Sequence, residues 1–269
     1  MTDARSYPWR ESAILLVAAA FGYVIKLPFG LLANRLFSHT TSGGFTTWGY
    51  ATLALQLAAV VAGLAVYRRV RLPGAPWLER RLYGAGATEK RPIWRPALGG
   101  MALAMAITVA VAIASAKFGL TSKLGQQFHA PNLSQAMLVK LALLYPFAAV
   151  GASLSEEAVY RLGLVTVFVW FASSISLEWR GRDVLRLWIP IVLVGSLFGY
   201  VHVAENLETV QVGGPVISTL IAPQTWAGIV FGYIYCIYGF ESAVICHLLS
   251  DFAAPVALST VQYAVHLIH

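Results

Sequence analysis

Apolar residues dominate this chain in long runs that polar residues interrupt only briefly. The runs cover about Ser12–Leu36, Thr46–Tyr67, Ala97–Ala116, Gln135–Ser174, Leu187–Val203, Thr225–Tyr238 and Ser242–Leu267. Most approach or exceed the roughly 20 residues that carry a helix across about 30 Å of hydrocarbon, so each predicts a membrane span and not a buried soluble core. The fold class that follows is all-α, a polytopic bundle of seven or eight transmembrane helices. The fourth run is too long for one simple crossing. Its 40 or so residues would measure about 60 Å as a helix, so a break is expected at Pro146, Gly151 or the Ser153–Ser155 run. The first run holds Lys26 and Pro28, which predict a kink or a lysine that reaches toward an interface.

Composition agrees with the bilayer reading: 58% of the 269 residues are hydrophobic and 12% are charged, and the mean hydropathy is +0.68. The basic balance of +7 has a local origin. Between Tyr67 and Ala97 stand Arg68, Arg69, Arg71, Arg80, Arg81, Lys90, Arg91 and Arg95 against Glu79 and Glu89, so that loop belongs on the cytoplasmic side. Counting forward with one net crossing for Gln135–Ser174 places Arg180, Arg182 and Arg186 inside and the Lys/Arg-free segment Glu205–Ala222 outside. Seven spans with a cytoplasmic amino terminus therefore satisfy the charge bias, whereas eight would move the Arg180–Arg186 loop outside. Basic loops beside spans account for the net charge, and no nucleic-acid partner is expected. The lipid bilayer is the expected partner, with the plasma membrane as its location. Cys236 and Cys246 lie within apolar runs and form neither a disulfide framework nor a CxxC motif. The whole of 1–269 reads as one integral membrane domain.

A few ionisable residues cannot be placed in loops, and each costs roughly 2.5–3.5 kcal/mol at a helix centre unless it has a partner or a function. They are Glu156, Glu157 and Arg161 in LSEEAVYRLGL, His202 in SLFGYVHV, and His247 and Asp251 in GFESAVICHLLSDF. Glu241, in the last of these segments, is expected as a solvated turn residue at the cytoplasmic end of the final span. Glu157 and Arg161 are four apart and share a helix face, so carboxylate and guanidinium can pair across one turn. Glu156 then points about 100° away, free to act on water. Phe198 and His202 lie one turn apart, with the ring able to wall the imidazole. His247 and Asp251 share a face at the spacing that lets a carboxyl group orient an imidazole. Such an inventory can activate water and stabilise an oxyanion. It could also be an ion-pair network that holds helices together. Zinc binding is chemically open, but HExxH is absent and the imidazoles lie on different spans.

The three motifs, EExxxR at Glu156–Arg161, FxxxH at Phe198–His202 and HxxxN/D at His247–Asp251, occur in the order found in the CPBP intramembrane proteases. That family includes the CAAX-processing Rce1-type enzymes and the bacterial Abi proteins, and the resemblance covers about 135–256, the expected catalytic core. It implies an intramembrane endopeptidase of the glutamic type acting on a membrane-anchored protein or peptide, including prenylated CAAX-type substrates. In that scheme Glu156 and His202 deprotonate water, His247 stabilises the oxyanion, Asp251 stands in the Asn/Asp position, and Arg161 holds Glu157. No cofactor is expected, with zinc as the alternative because such enzymes were long described as metalloproteases. From other classes, a proton-coupled transporter or a non-catalytic membrane scaffold would use the same intramembrane charges. No inverted repeat supports the transporter.

Overall fold

A computed structural model describes residues 9–37, 47–70, 72–84, 92–117, 134–174, 182–204 and 222–268. Within them the chain forms α1 (Trp9–Phe37), α2 (Thr47–Val66), a short 3-10 turn (Tyr67–Arg69), α3 (Pro76–Tyr83) and α4 (Trp94–Lys117). There follow α5 (Gln135–Glu157), a π-helical segment (Ala158–Val165), α6 (Thr166–Ser174), α7 (Arg182–Ala204), α8 (Pro223–Tyr238) and α9 (Phe240–Ile268). Five of these elements are long and apolar enough to cross a membrane. α2 contributes a shorter apolar stretch, Leu53–Val66. The all-α expectation holds. Arg71, Glu89, Lys90, Arg91, Arg180 and the segment 205–221 lie outside the described residues.

The fourth run departs from expectation in where its helix changes. Pro146, Gly151, Ser153 and Ser155 all lie inside uninterrupted α5. Within the helix the serines satisfy their hydroxyls by bonding back along it, Ser155 Oγ to the Gly151 carbonyl at 2.7 Å and Ser153 Oγ to that of Val150 at 3.1 Å. The irregularity falls directly after Glu157, as the π-helical turns of Ala158–Val165. A π segment carries an extra residue per turn, which rotates everything beyond it, and such segments concentrate at functional sites. Here α2 braces it: a Cβ on Gly63 would collide with the Leu162 carbonyl.

Gln135–Ser174 is thus one continuous helical element of 40 residues. At the turn between α8 and α9, Phe240 N–H donates to the Gly74 carbonyl at 2.8 Å. Gly74 (φ +61°) and Gly239 (φ +99°) supply the left-handed backbone this tight apposition requires. Glu241 accepts from Leu78 N–H at 3.0 Å and so caps the first turn of α3 from outside. It is therefore not the solvated turn residue expected. Nearby, buried Glu11 accepts from the Tyr67 hydroxyl at 2.7 Å.

α1 packs chiefly on α5, α7 on α8, α4 on α9, and α2 on the π segment. Between them Val60, Leu162, Val165, Ile191, Val194, Phe231 and Tyr235 form the core. Outward, Val17, Phe21, Leu55, Leu103, Leu143, Phe147 and Leu193 are exposed, a surface that only lipid covers favourably. Trp9, Trp77, Tyr83 and Trp94 are also exposed and sit at helix termini, the positions aromatic rings take at a membrane interface. The bracing of the π segment can be tested. Gly63→Ala should lower stability by about 1–3 kcal/mol, as overpacking against backbone does, whereas Gly99→Ala, whose added methyl meets nothing within 4 Å, should be near neutral. Thermal unfolding of both in detergent checks this, and equal midpoints would contradict it.

Candidate active site

Two adjacent carboxylates at the end of α5 face two different environments. Glu157, at 0% side-chain exposure, points into the bundle, where its Oε2 lies 3.1 Å from Arg161 Nε, also at 0%. The i,i+4 pairing expected from sequence is thus present, and it survives the entry into the π segment. Its Oε1 accepts from His247 Nδ1 at 2.9 Å, a contact between α5 and α9 that no spacing within one helix could reveal. Because a carboxylate can only accept, Nδ1 carries the proton and Nε2 is turned outward. His247 Nε2 lies 3.6 Å from Asp251 Oδ1, so the imidazole stands between two carboxylates, with Glu157 the closer.

Arg161 has no water-facing surface, and its two terminal nitrogens make no protein hydrogen bond. Aromatic faces surround its guanidinium instead, with Phe198 at 5.4 Å and Tyr160 and Phe231 at 5.9 Å. Attraction to ring quadrupoles is worth most in such a desolvated setting. The same rings hold the histidines. Phe231 stacks on His247 at 4.7 Å, and Phe198 lies between the two imidazoles, 4.4 Å from His202 and 5.9 Å from His247.

Glu156 faces the other way, 19% exposed, toward a partly accessible group. Its Oε2 is 4.0 Å from His202 Nε2, while His202 Nδ1–H donates to the Phe198 carbonyl at 2.8 Å. That bond fixes the tautomer, leaving the Nε2 lone pair toward Glu156. Four ångströms is too long for a hydrogen bond, but it suits one water bonded to both atoms. Glu156 is not free of ion pairing, however. Lys26 Nζ from α1 lies 3.1 Å from Oε1.

The structure therefore brings Glu156, Glu157, Arg161, Phe198, His202, His247 and Asp251 into one cluster. It adds Lys26, for which the sequence offered a kink, an interface-reaching side chain or a functional role. The signal for it was arithmetic, since a mid-span lysine needs a carboxylate and Glu156 was the one left without a cation. With Lys26 and Arg161 against three carboxylates, one further proton on an imidazole or a carboxyl group makes the cluster neutral. Glu157 is committed to Arg161 and His247, and His202 Nδ1 to a carbonyl. Among the described residues no group of three His, Cys, Asp or Glu is disposed to hold a metal ion. A separate apolar cleft of about 570 Å³, lined by Leu103, Trp188, Trp226 and Tyr233 among others, includes none of the cluster.

The buried pair predicts a large effect. Arg161→Ala should lower unfolding stability by about 3–5 kcal/mol, because Glu157 would be left buried without its cation. Arg161→Lys should fail to restore it, since an ammonium cannot fill the aromatic cage as a planar guanidinium does. Chemical denaturation in mild detergent reads both, and a wild-type midpoint for either would contradict the assignment.

No curated protein and no solved structure matches the chain. Residues 138–253 match the family model described as type II CAAX prenyl endopeptidase Rce1-like, a span that contains all three motifs and every cluster residue except Lys26. With the cluster assembled around those motifs, residues 138–253 of this integral membrane protein are similar to the Rce1-like family.

Proposed function

We propose that the protein is an intramembrane endopeptidase of the glutamic type, which hydrolyses a peptide bond of a membrane-anchored, prenylated CAAX-type substrate. The observation that carries this reading is the 4.0 Å gap between Glu156 Oε2 and His202 Nε2, two proton acceptors aimed at a common point. A water held there loses a proton to the Glu156–His202 pair as its oxygen attacks the scissile carbonyl. The carbonyl π electrons move onto oxygen, and His247, charged and donating from Nε2, stabilises that oxyanion. Collapse of the tetrahedral intermediate breaks the C–N bond, and the proton taken from water passes to the leaving amine.

In this scheme Glu157 accepts from Nδ1–H and so holds the His247 imidazolium in orientation, and Asp251, an ionised acceptor that cannot donate to an oxyanion, supports its charge. Arg161 acts through Glu157. No step passes through a metal. The graded exposure supports the roles of the base and of the buried ion pair: Glu156 and His202 are 19% and 28% exposed, whereas Glu157 and Arg161 are 0% exposed. Water and an extended peptide segment need access to the first set, and rigid placement suits the second.

Purified protein in liposomes should cleave a fluorogenic farnesylated CAAX-type peptide. Glu156→Gln and His202→Ala should each lower kcat by about 10²–10⁴-fold, the range for loss of general base catalysis, with unchanged thermal midpoints. Activity should survive chelators. Proton flux that persists in Glu156→Gln, with no cleavage of the peptide by the wild type, would replace this reading with a transporter.

A further inference from the structure

The family match begins at residue 138, yet the cation nearest to Glu156 comes from α1. Lys26 stands about 25 Å along α1 from its start, too deep for an unpaired ammonium to rest without cost. Its position is built by two glycines. A Cβ on Gly22 would come within 2.8–2.9 Å of Leu154 Cβ, the Gly151 carbonyl and Ser155 N, and one on Gly151 would press on Lys26 Cβ and N. Only glycine at both positions lets α1 and α5 cross this closely. The lysine stem therefore lies across α5 at Gly151, and its head arrives at Glu156, five residues on. The Tyr23 ring, 5.7 Å from Nζ, flanks the ammonium.

Resting on the hydrolase reading, we propose that Lys26 is a positioning residue, a resident counter-ion that anchors Glu156 by Oε1 and so directs Oε2 alone at His202 and the attacking water. Two features of the geometry support this. The 3.1 Å contact occupies one carboxylate oxygen, and the other is the one that faces the imidazole. Without the anchor, the carboxylate can rotate about its terminal torsion, which is broad, and turn either oxygen toward Lys26-free space. The other titratable groups that act on Glu156 from neighbouring helices are His202 from α7 and His247 and Asp251 from α9, and His202 meets Glu156 at its other oxygen, Oε2.

Two measurements separate this claim from the reading beneath it. In a thermal-unfolding cycle of Lys26→Met, Glu156→Gln and the double variant, the pairing predicts that the double shifts the midpoint by less than the sum of the singles. Additive shifts would overturn the pairing whatever the activity. With the farnesylated fluorogenic peptide as probe, Lys26→Met should lower kcat about 10–100-fold, the scale of an ångström-sized misplacement, and leave KM unchanged. Lys26→Cys treated with bromoethylamine regains a lysine-like ammonium and should recover most of the rate. The wild type is the control, because its two cysteines are buried. A folded Lys26→Met that turns over at the wild-type rate, or a Lys26→Cys that the reagent does not rescue, would overturn the positioning role. Lack of cleavage by the wild type would instead sink the hydrolase reading, and the role with it, while the cycle still decided the ion pair.

Discussion

Glu157 has no contact with solvent, and a carboxylate in that position must be neutralised by the protein or not be charged at all. Arg161 meets one of its oxygens and His247 the other. Much of the architecture follows from that requirement. Arg161 in turn needs a surrounding that is not water, and Tyr160, Phe198 and Phe231 provide it from three elements. These aromatic residues then also set the planes of both imidazoles. One buried charge thereby fixes how α5, α7, α8 and α9 meet, and an ion pair of this kind serves specificity of packing more than net stability.

The neighbouring carboxylate shows how one residue of offset divides roles. A helix turns its successive side chains through about 100°, so Glu156 leaves the dry interior and meets the partly accessible side formed by α1 and α7. There the partners stand farther away or are cations with some solvent access. The two glutamates are identical in chemistry and differ in surroundings, one locked between an ion pair to Arg161 and a hydrogen bond from His247, the other left with an oxygen toward a lone pair. Small residues make this possible on both flanks. Gly22 and Gly151 bring α1 close, and Gly63 receives the backbone of the π segment that begins immediately after the pair.

How much of this was legible in the residues differs by distance along the chain. Each of the seven apolar runs matched a helical element, five of them long and apolar enough to cross a membrane, because length and hydropathy act locally and the bilayer thickness is fixed. Pairings within a single helix were legible for the same reason: Glu157 with Arg161 and His247 with Asp251 follow from spacing. The shorter bond of His247, to Glu157 on another helix, was not, since partner choice between helices depends on packing. The partner of Lys26 was not legible on the same grounds. The break in the long element was expected at proline, glycine and serine, whereas those residues lie inside the uninterrupted helix Gln135–Glu157. A π turn has no comparable sequence mark, and it falls where the functional residues sit.

The chain of contacts Arg161–Glu157–His247 can be measured directly in a bilayer. Solid-state NMR dephasing between ¹⁵N-labelled His247 Nδ1 and ¹³C-labelled Glu157 Cδ should report a separation of about 4 Å, as a direct hydrogen bond to the carboxylate demands, with the Nδ1 shift of a protonated nitrogen. Absence of dephasing, or a bare Nδ1, would contradict the account at its root, because His247 would then have neither the tautomer nor the anchor on which the site is built.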